Sequence, residues 1–285
     1  MLLGILFIAA AVERRWPAWP GAQPFFANWS ATVGELRSLS LTNRIWLEWC
    51  GGLLLLAPLL LLVAFRRGKI PLTMIILLVA AFFLTLWQAR WGYYLALLFV
   101  LTIPAQLEVV RQKWIATLVL ALSLWPLLQF WDEQLWPNDK ELARRVQNRR
   151  EAVEWRLAAS SLGDPSHAPV LTPWWLAPAT AYWSGHPVGA GSAHESLPGI
   201  VESARFFLTA SPAEAREILR RDEVRWVLTA DGERVAENSA AILGRPGSPD
   251  ALCRILDRWP SRAPIFLSLR GENAACKVYL FRDSQ

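Results

Sequence analysis

Apolar residues run together in the first half of the chain and intersperse with polar ones in the second. Before Trp131 there are four long apolar stretches, at 45–65, 70–88, 91–110 and 114–131. A helix needs about 20 apolar residues to cross a hydrocarbon layer of ~30 Å. Each stretch is therefore expected to form a full membrane span. A fifth run at 2–12 is shorter and is followed at once by Glu13, Arg14 and Arg15. It lacks the basic start and small-residue cleavage site of a signal peptide. It reads as the exit half of a spanning helix or as a short interfacial helix.

The short loops orient these spans. Arg66, Arg67 and Lys69 follow the first full span, and Arg111 and Lys113 follow the third. Positive loop charge favours the cytoplasmic side. Alternation then places 13–44, the turn at Arg90 and everything after Asp132 outside. Eight tryptophans (46, 49, 87, 91, 114, 125, 131 and 136) sit near the expected span ends, as an interfacial aromatic belt requires. Pro58, Pro104 and Pro126 fall inside spans, where neighbouring helices can satisfy the freed carbonyls.

The second half carries soluble-domain patterns. Asn138 with Glu141 resembles a capping box opening an amphipathic helix at 140–157, with Leu142, Val146, Val153 and Leu157 spaced along it and four arginines (144, 145, 149, 150). A short strand is expected at 168–172, closed by Pro173. Ser211-Pro212-Ala213-Glu214 has a cap, a Pro at the first helical position and a third-position acid, so a helix should run to about Arg221. Further strands are expected at 224–229, 264–269 and 276–281, with a helix at 250–257. The expected fold is a polytopic helical membrane part of four full spans and a partial one, followed by an extracytoplasmic mixed α/β domain. The division is 1–131, with an external loop at 13–44, and 132–285.

Composition agrees with two regimes in one chain. In 285 residues, 54% are hydrophobic and 19% charged, with 29 Lys plus Arg against 24 Asp plus Glu. The mean hydropathy is +0.26. That balance excludes disorder, collagen and a small disulfide scaffold. Membrane topology accounts for the basic residues, so nucleic-acid binding is not expected. Cys50 reads as a small buried apolar residue, and an oxidising compartment would permit Cys253 and Cys276 to pair. The three histidines (167, 186, 194) fall in loops and are expected at the surface. No zinc-like spacing, Gly-rich phosphate loop or nucleophile elbow is present. The spans hold almost no charge beyond Glu48, which argues against a transporter.

Three outward segments carry candidate chemistry: Thr32-Val33-Gly34-Glu35; Gln88-Ala89-Arg90-Trp91-Gly92-Tyr93-Tyr94; and Pro173-Trp174-Trp175-Leu176. A guanidinium at a membrane surface suits a lipid phosphate, which it can grip in a bidentate way. Two adjacent indoles in a Pro-flanked loop cannot easily both be buried, so one is expected to line a groove. In order along the chain these segments resemble the C-terminal half of the oligosaccharyltransferase catalytic subunit, a GT-C membrane glycosyltransferase. Thr32–Glu35 is similar to that family's Thr-(Ile/Val)-x-Glu motif. The stretch at Arg90 resembles its Arg-aromatic-x-Tyr-Tyr segment, and Trp174-Trp175 resembles the start of its Trp-Trp-Asp motif. Residues 200–207 resemble its IA-x-FF region, and Lys277-Val278-Tyr279 resembles its closing strand.

The resemblance implies transfer of a glycan from a polyprenyl (pyro)phosphate donor to a protein acceptor on the outer face. It implies Glu35 as the catalytic carboxylate near the acceptor, Arg90 as the donor-phosphate ligand, and Trp174, Trp175 and Thr32 as acceptor-binding residues. It also implies a Mn2+ or Mg2+ cofactor, with its acidic ligands in an N-terminal half not contained in this chain. Partners would be the lipid-linked glycan, an acceptor polypeptide, the bilayer and that N-terminal half. The chain would be an integral membrane protein of a prokaryotic plasma membrane, its C-terminal domain extracytoplasmic. Leu176 stands where the family has Asp, so N-linked and O-linked acceptors both stay open. The alternatives are a GT-C relative that modifies a lipid or polysaccharide, and a non-catalytic membrane-anchored interaction module.

Overall fold

A computed structural model describes residues 21–162 and 168–283. The run at 2–12, the charges at 13–15 and His167 lie outside them. By contacts along the chain these residues form two compact units. One is Val33–Leu142; the other combines the segment up to Thr32 with Ala143 onward. In chain order the helices are α1 (Gln23–Thr32), α2 (Ile45–Cys50), α3 (Leu53–Arg66), α4 (Leu72–Trp87), α5 (Gly92–Glu108), α6 (Lys113–Leu135) and α7 (Asp139–Ser160). They continue with α8 (Ala177–Ser184), α9 (Leu197–Leu208), α10 (Pro212–Arg221), α11 (Gly232–Leu243) and α12 (Leu252–Arg258). The strands are β1 (Val170–Leu171), β2 (Trp226–Ala230), β3 (Leu267–Glu272) and β4 (Cys276–Phe281).

The first unit corrects the expectation of four full spans. The stretch at 45–65 is two helices, broken at Gly51 and Gly52. Gly51 has φ 71°, a left-handed conformation that favours glycine, and a Cβ there would meet the Ser123 carbonyl and the Leu127 side chain. The Gly52 N–H donates to the Ser123 carbonyl at 2.8 Å, so α6 occupies the space at the break. Helices α3, α4 and α5 have 14, 16 and 17 residues. At 1.5 Å per residue each is about 21–26 Å long, short of a ~30 Å hydrocarbon layer. Among the described residues only α6, with 23, is both long and apolar enough to cross. Hydropathy counts apolar residues but does not see where a glycine pair ends a helix.

Trp46, Leu53, Ala57, Leu78, Ala81 and Phe99 form this unit's core. Small residues at Ala57 and Ala81 let the helices approach closely, as does Gly92, where a Cβ would run into the Trp49 ring. Much of the outer surface is apolar. Leu55 is 75% exposed and Leu122 65%, with Leu59, Phe83, Leu97 and Leu101 also exposed. At one end Arg67 donates to the Val109 carbonyl at 3.1 Å, and Lys69 pairs with Glu108 at 2.9 Å. The loops assigned above to one side of a bilayer are thus neighbours.

The second unit is built on a four-stranded mixed sheet of order β1-β2-β4-β3. β1 and β2 are parallel, and the other pairs antiparallel, with a register shift between Leu269 and Gly271. Strand side chains alternate between faces, and two cores follow from that period. Val227 and Tyr279 join Phe206, Phe207, Leu219 and Leu256 on one face. Leu228 and Val278 join Trp155, Ala158, Ala159 and Leu162 on the other. The pattern at 211–214 does cap α10: Ser211 accepts the Glu214 N–H at 3.4 Å. Asn138 likewise accepts the Glu141 N–H at 2.9 Å.

Helix α1 belongs to this unit by contact, although the division at 131 assigns it, as part of the external loop 13–44, to the membrane part. Trp29 is 2% exposed, Asn28 Nδ2 donates to the Ile242 carbonyl at 3.2 Å, and the Arg205 guanidinium lies 6.0 Å from the Phe25 ring centre. Cys253 and Cys276 are separate buried thiols in the two different cores, not a disulfide. Burial pushes both up to about 12.

Candidate functional site

Glu35 and Arg90 occupy two short 3-10 turns, Gly34–Leu36 and Ala89–Trp91. The chain after the first turn is clipped to the chain before and within the second by two backbone hydrogen bonds. Ala89 N–H donates to the Arg37 carbonyl at 2.9 Å, and Leu39 N–H to the Leu86 carbonyl at 3.1 Å. Residues more than fifty positions apart are thereby fixed at one end of the first unit. Arg44 lies at the same end, 3.4 Å from both Glu48 and Glu133.

The two side chains differ in setting. Glu35 is exposed. Arg90 is half-buried, with its guanidinium 5.7 Å from the Trp91 ring centre, and desolvation holds its pKa below the usual value. Trp91 separates it from α5, a helix whose first-turn N–H groups favour an anion, apart from that of Gly92, which donates to the Ala89 carbonyl. Beside it, Gln88 Oε1 and Trp91 Nε1 are buried without a hydrogen-bond partner in the protein. Tyr93 and Tyr94 face outward on that first turn.

Trp174, Trp175 and Thr32 lie in the other unit, and there packing accounts for the indoles. Trp174 Nε1 donates to Asn238 Oδ1 at 2.8 Å. Its ring meets Trp29 edge-on at 5.7 Å and Trp175 at 6.0 Å. Trp175 packs on the main core with the Arg234 guanidinium 5.5 Å from its ring centre. Each indole is half-buried, so adjacency in sequence is accommodated by perpendicular rings. Thr32 donates its hydroxyl to the Trp29 carbonyl at 2.7 Å, within its own helix. Trp29 and Asn238, which complete this cluster, carried no signal beyond residue type.

A cleft of ≈ 280 Å³ opens beside the same loop, lined in part by Thr172, Gly189, Pro198, Glu202, Ser203 and Asp222. Ser203 donates to the Thr172 carbonyl at 2.9 Å, and the Thr172 hydroxyl is buried without a partner. Glu202 is held by Arg205 at 2.8 Å and Arg221 at 2.6 Å, and Arg221 also pairs with Asp222. Hydrogen bonds to those two carboxylates hold the Arg221 pKa above its usual value. Sequence flagged the segment 200–207 but not this cleft.

His186 is buried rather than at the surface: its backbone follows the left-handed cap at Gly185, and its Nδ1 lies 3.4 Å from the Ala168 carbonyl. Among the described residues no group of three or more His, Cys, Asp or Glu lies together as a cation would need.

No family model matches the sequence, and no curated protein matches it. Two solved structures are similar in part, both of the C-terminal globular domain of oligosaccharyltransferase from Archaeoglobus fulgidus. One covers 46% of this chain and 97% of its own, at 15% identity and a TM-score of 0.37. The other covers 47% and 95%, at 18% identity and a TM-score of 0.30. Both likenesses are distant.

Proposed function

We propose that the chain is the acceptor-binding part of a membrane glycosyltransferase, moving a glycan from a polyprenyl (pyro)phosphate to a protein acceptor on the extracytoplasmic face. The observation that carries this reading is the backbone clip holding the Arg90 and Glu35 turns together at one end of an apolar helical unit. A half-desolvated guanidinium beside a helix N-terminus is a strong receptor for a phosphate oxygen pair. The broad apolar surface of α3 to α6 suits lipid contact better than water.

In this reading Arg90 holds the donor phosphate. As the bond from the sugar's anomeric carbon to phosphate oxygen breaks, the electron pair goes to the phosphate, and Arg90 stabilises that charge. Glu35 accepts a hydrogen bond from the attacking group and orients it toward the anomeric carbon. Trp174, Trp175 and Thr32 bind the acceptor. One observation favours a second reading, in which the same donor serves a lipid or polysaccharide acceptor. Both indoles are committed to packing and position 176 is leucine, which leaves no carboxylate to meet a Ser or Thr hydroxyl.

The test is binding of a fluorescent polyprenyl-phosphate glycan to the purified chain in lipid nanodiscs. Losing a charge-assisted hydrogen-bond pair costs about 1.5–3 kcal/mol, or roughly 10- to 150-fold in affinity. Arg90→Ala should weaken binding by that factor, while Glu35→Gln and Arg44→Ala leave it unchanged. Equal binding by Arg90→Ala and the wild type would remove the proposal.

A further inference from the structure

Helix α7 has two apolar faces, and only one is covered. Trp155, Ala158, Ala159 and Leu162, at or just past its end, pack against the sheet. On a helix of 3.6 residues per turn, Leu142, Val146, Val153 and Leu157 fall within an arc of about 60° on the opposite side. These four are 44% to 57% exposed, an apolar stripe that water would not favour. Arginines border it: Arg149 and Arg156 along one edge and Arg150 along the other. Arg156 stacks 4.2 Å over the Trp183 ring, and Trp183 meets the exposed Tyr182 edge-on at 4.7 Å. The stripe therefore continues into an exposed aromatic pair.

We infer that this face of α7, with Tyr182 and Trp183, lies on an anionic lipid surface, its aliphatic side chains in the headgroup boundary and its arginines on lipid phosphates. Three observations select lipid over a protein partner. Apolar residues flanked by arginines, whose stems can lie along the stripe while their heads reach phosphate, match an interfacial helix. Exposed Tyr and Trp side chains suit the headgroup region, where one end of the ring is apolar and the other wet. Only Trp136, Pro137 and Asn138 separate α7 from α6, the helix long enough to cross a bilayer, so Leu142 can lie no further than about 25 Å from the end of α6. The inference rests on the membrane reading of α6 given above, and the experiment separates the two.

Spin labels are attached to the full chain in proteoliposomes through Val153→Cys on the stripe, Asn148→Cys away from it and Leu122→Cys on α6. The three native thiols are buried, which directs the label to the introduced one. Collision with oxygen reports lipid, and collision with a water-soluble nickel complex reports solvent. In phosphatidylglycerol vesicles the Val153→Cys label should favour oxygen and the Asn148→Cys label nickel. The Val153→Cys preference should reverse in pure phosphatidylcholine, or when Arg149→Glu and Arg150→Glu are added. Matching nickel preference at Val153→Cys and Asn148→Cys, with Leu122→Cys favouring oxygen, would overturn the inference and leave the membrane reading standing. A Val153→Cys label shielded from both reagents would mean a protein covers the stripe, and an oxygen preference indifferent to lipid charge would exclude an anionic surface. Nickel preference at Leu122→Cys would bring down the membrane reading and this inference together.

Discussion

Replacing Trp29 by alanine should release α1 from the second unit without unfolding that unit. The indole is 2% exposed and packs edge-on against Trp174. Truncating a buried Trp to Ala costs about 3–5 kcal/mol. The anchors that remain are the Asn28–Ile242 hydrogen bond, worth about 1 kcal/mol, and the Phe25–Arg205 contact, worth about 0.5–1 kcal/mol. A helix of 10 residues is too short to persist alone in water. Opening of 21–32 should therefore become roughly 10²- to 5 × 10³-fold more populated. Hydrogen exchange read by mass spectrometry on the full chain in detergent measures this directly. Protection should fall in the peptide covering 21–32 and hold in β2. Trp29→Phe supplies the control: it keeps most of the buried area and deletes an indole N–H that has no partner, so protection should stay close to wild type. Unchanged protection at 21–32 in Trp29→Ala, or equal loss in Trp29→Phe, would refute the idea that α1 is held by this ring.

Other predictions follow the same logic. Gly51→Ala must adopt φ 71° and meet the Ser123 carbonyl, so it should cost at least about 1–2 kcal/mol in thermal unfolding, whereas Gly34→Ala, with open space around it, should be nearly neutral. Burial that pushes Cys253 and Cys276 up to about 12 should leave them unlabelled by iodoacetamide at pH 8 until the chain is denatured; fast labelling of the folded protein would contradict the packing. Hydrogen bonds from Arg254 hold the Glu233 carboxyl below its ordinary range. The unfolded chain then takes up that proton first, so the stabilisation is present above the ordinary carboxylate pKa and is lost as pH falls through the lower folded value. Melting temperature should drop less steeply on acidification in Glu233→Gln than in wild type, and identical profiles would assign the acid loss elsewhere.

Local sequence signals suffice where neighbours along the chain decide the outcome. Ser211 and Asn138 cap their helices because the cap, the proline and the acid all lie within one turn. The pairing of Val227 with Tyr279 and of Leu228 with Val278 follows from a period of two that any strand must obey. Residue type marks the Arg90 and Glu35 segments, but nothing local shows that backbone bonds between 37 and 89 and between 39 and 86 hold them together.

What only the tertiary structure decided is which apolar surface meets which. Along the sequence, 45–65 reads as one apolar run with a single charge, Glu48, near its start; it is the approach of Ser123 on α6 that uses the glycine pair as a break. Two neighbouring tryptophans cannot disclose that one will stack between Trp29 and its own neighbour and donate its N–H to Asn238. The period of α7 marked Leu142, Val146, Val153 and Leu157 as a face, yet the sheet took Trp155, Ala158 and Ala159 instead. Composition and period thus determined that the chain has an apolar helical part and a mixed-sheet part with capped helices. Burial, which depends on atoms distant in sequence arriving at the same place, determined helix length, the use of each indole and the side of α7 left uncovered.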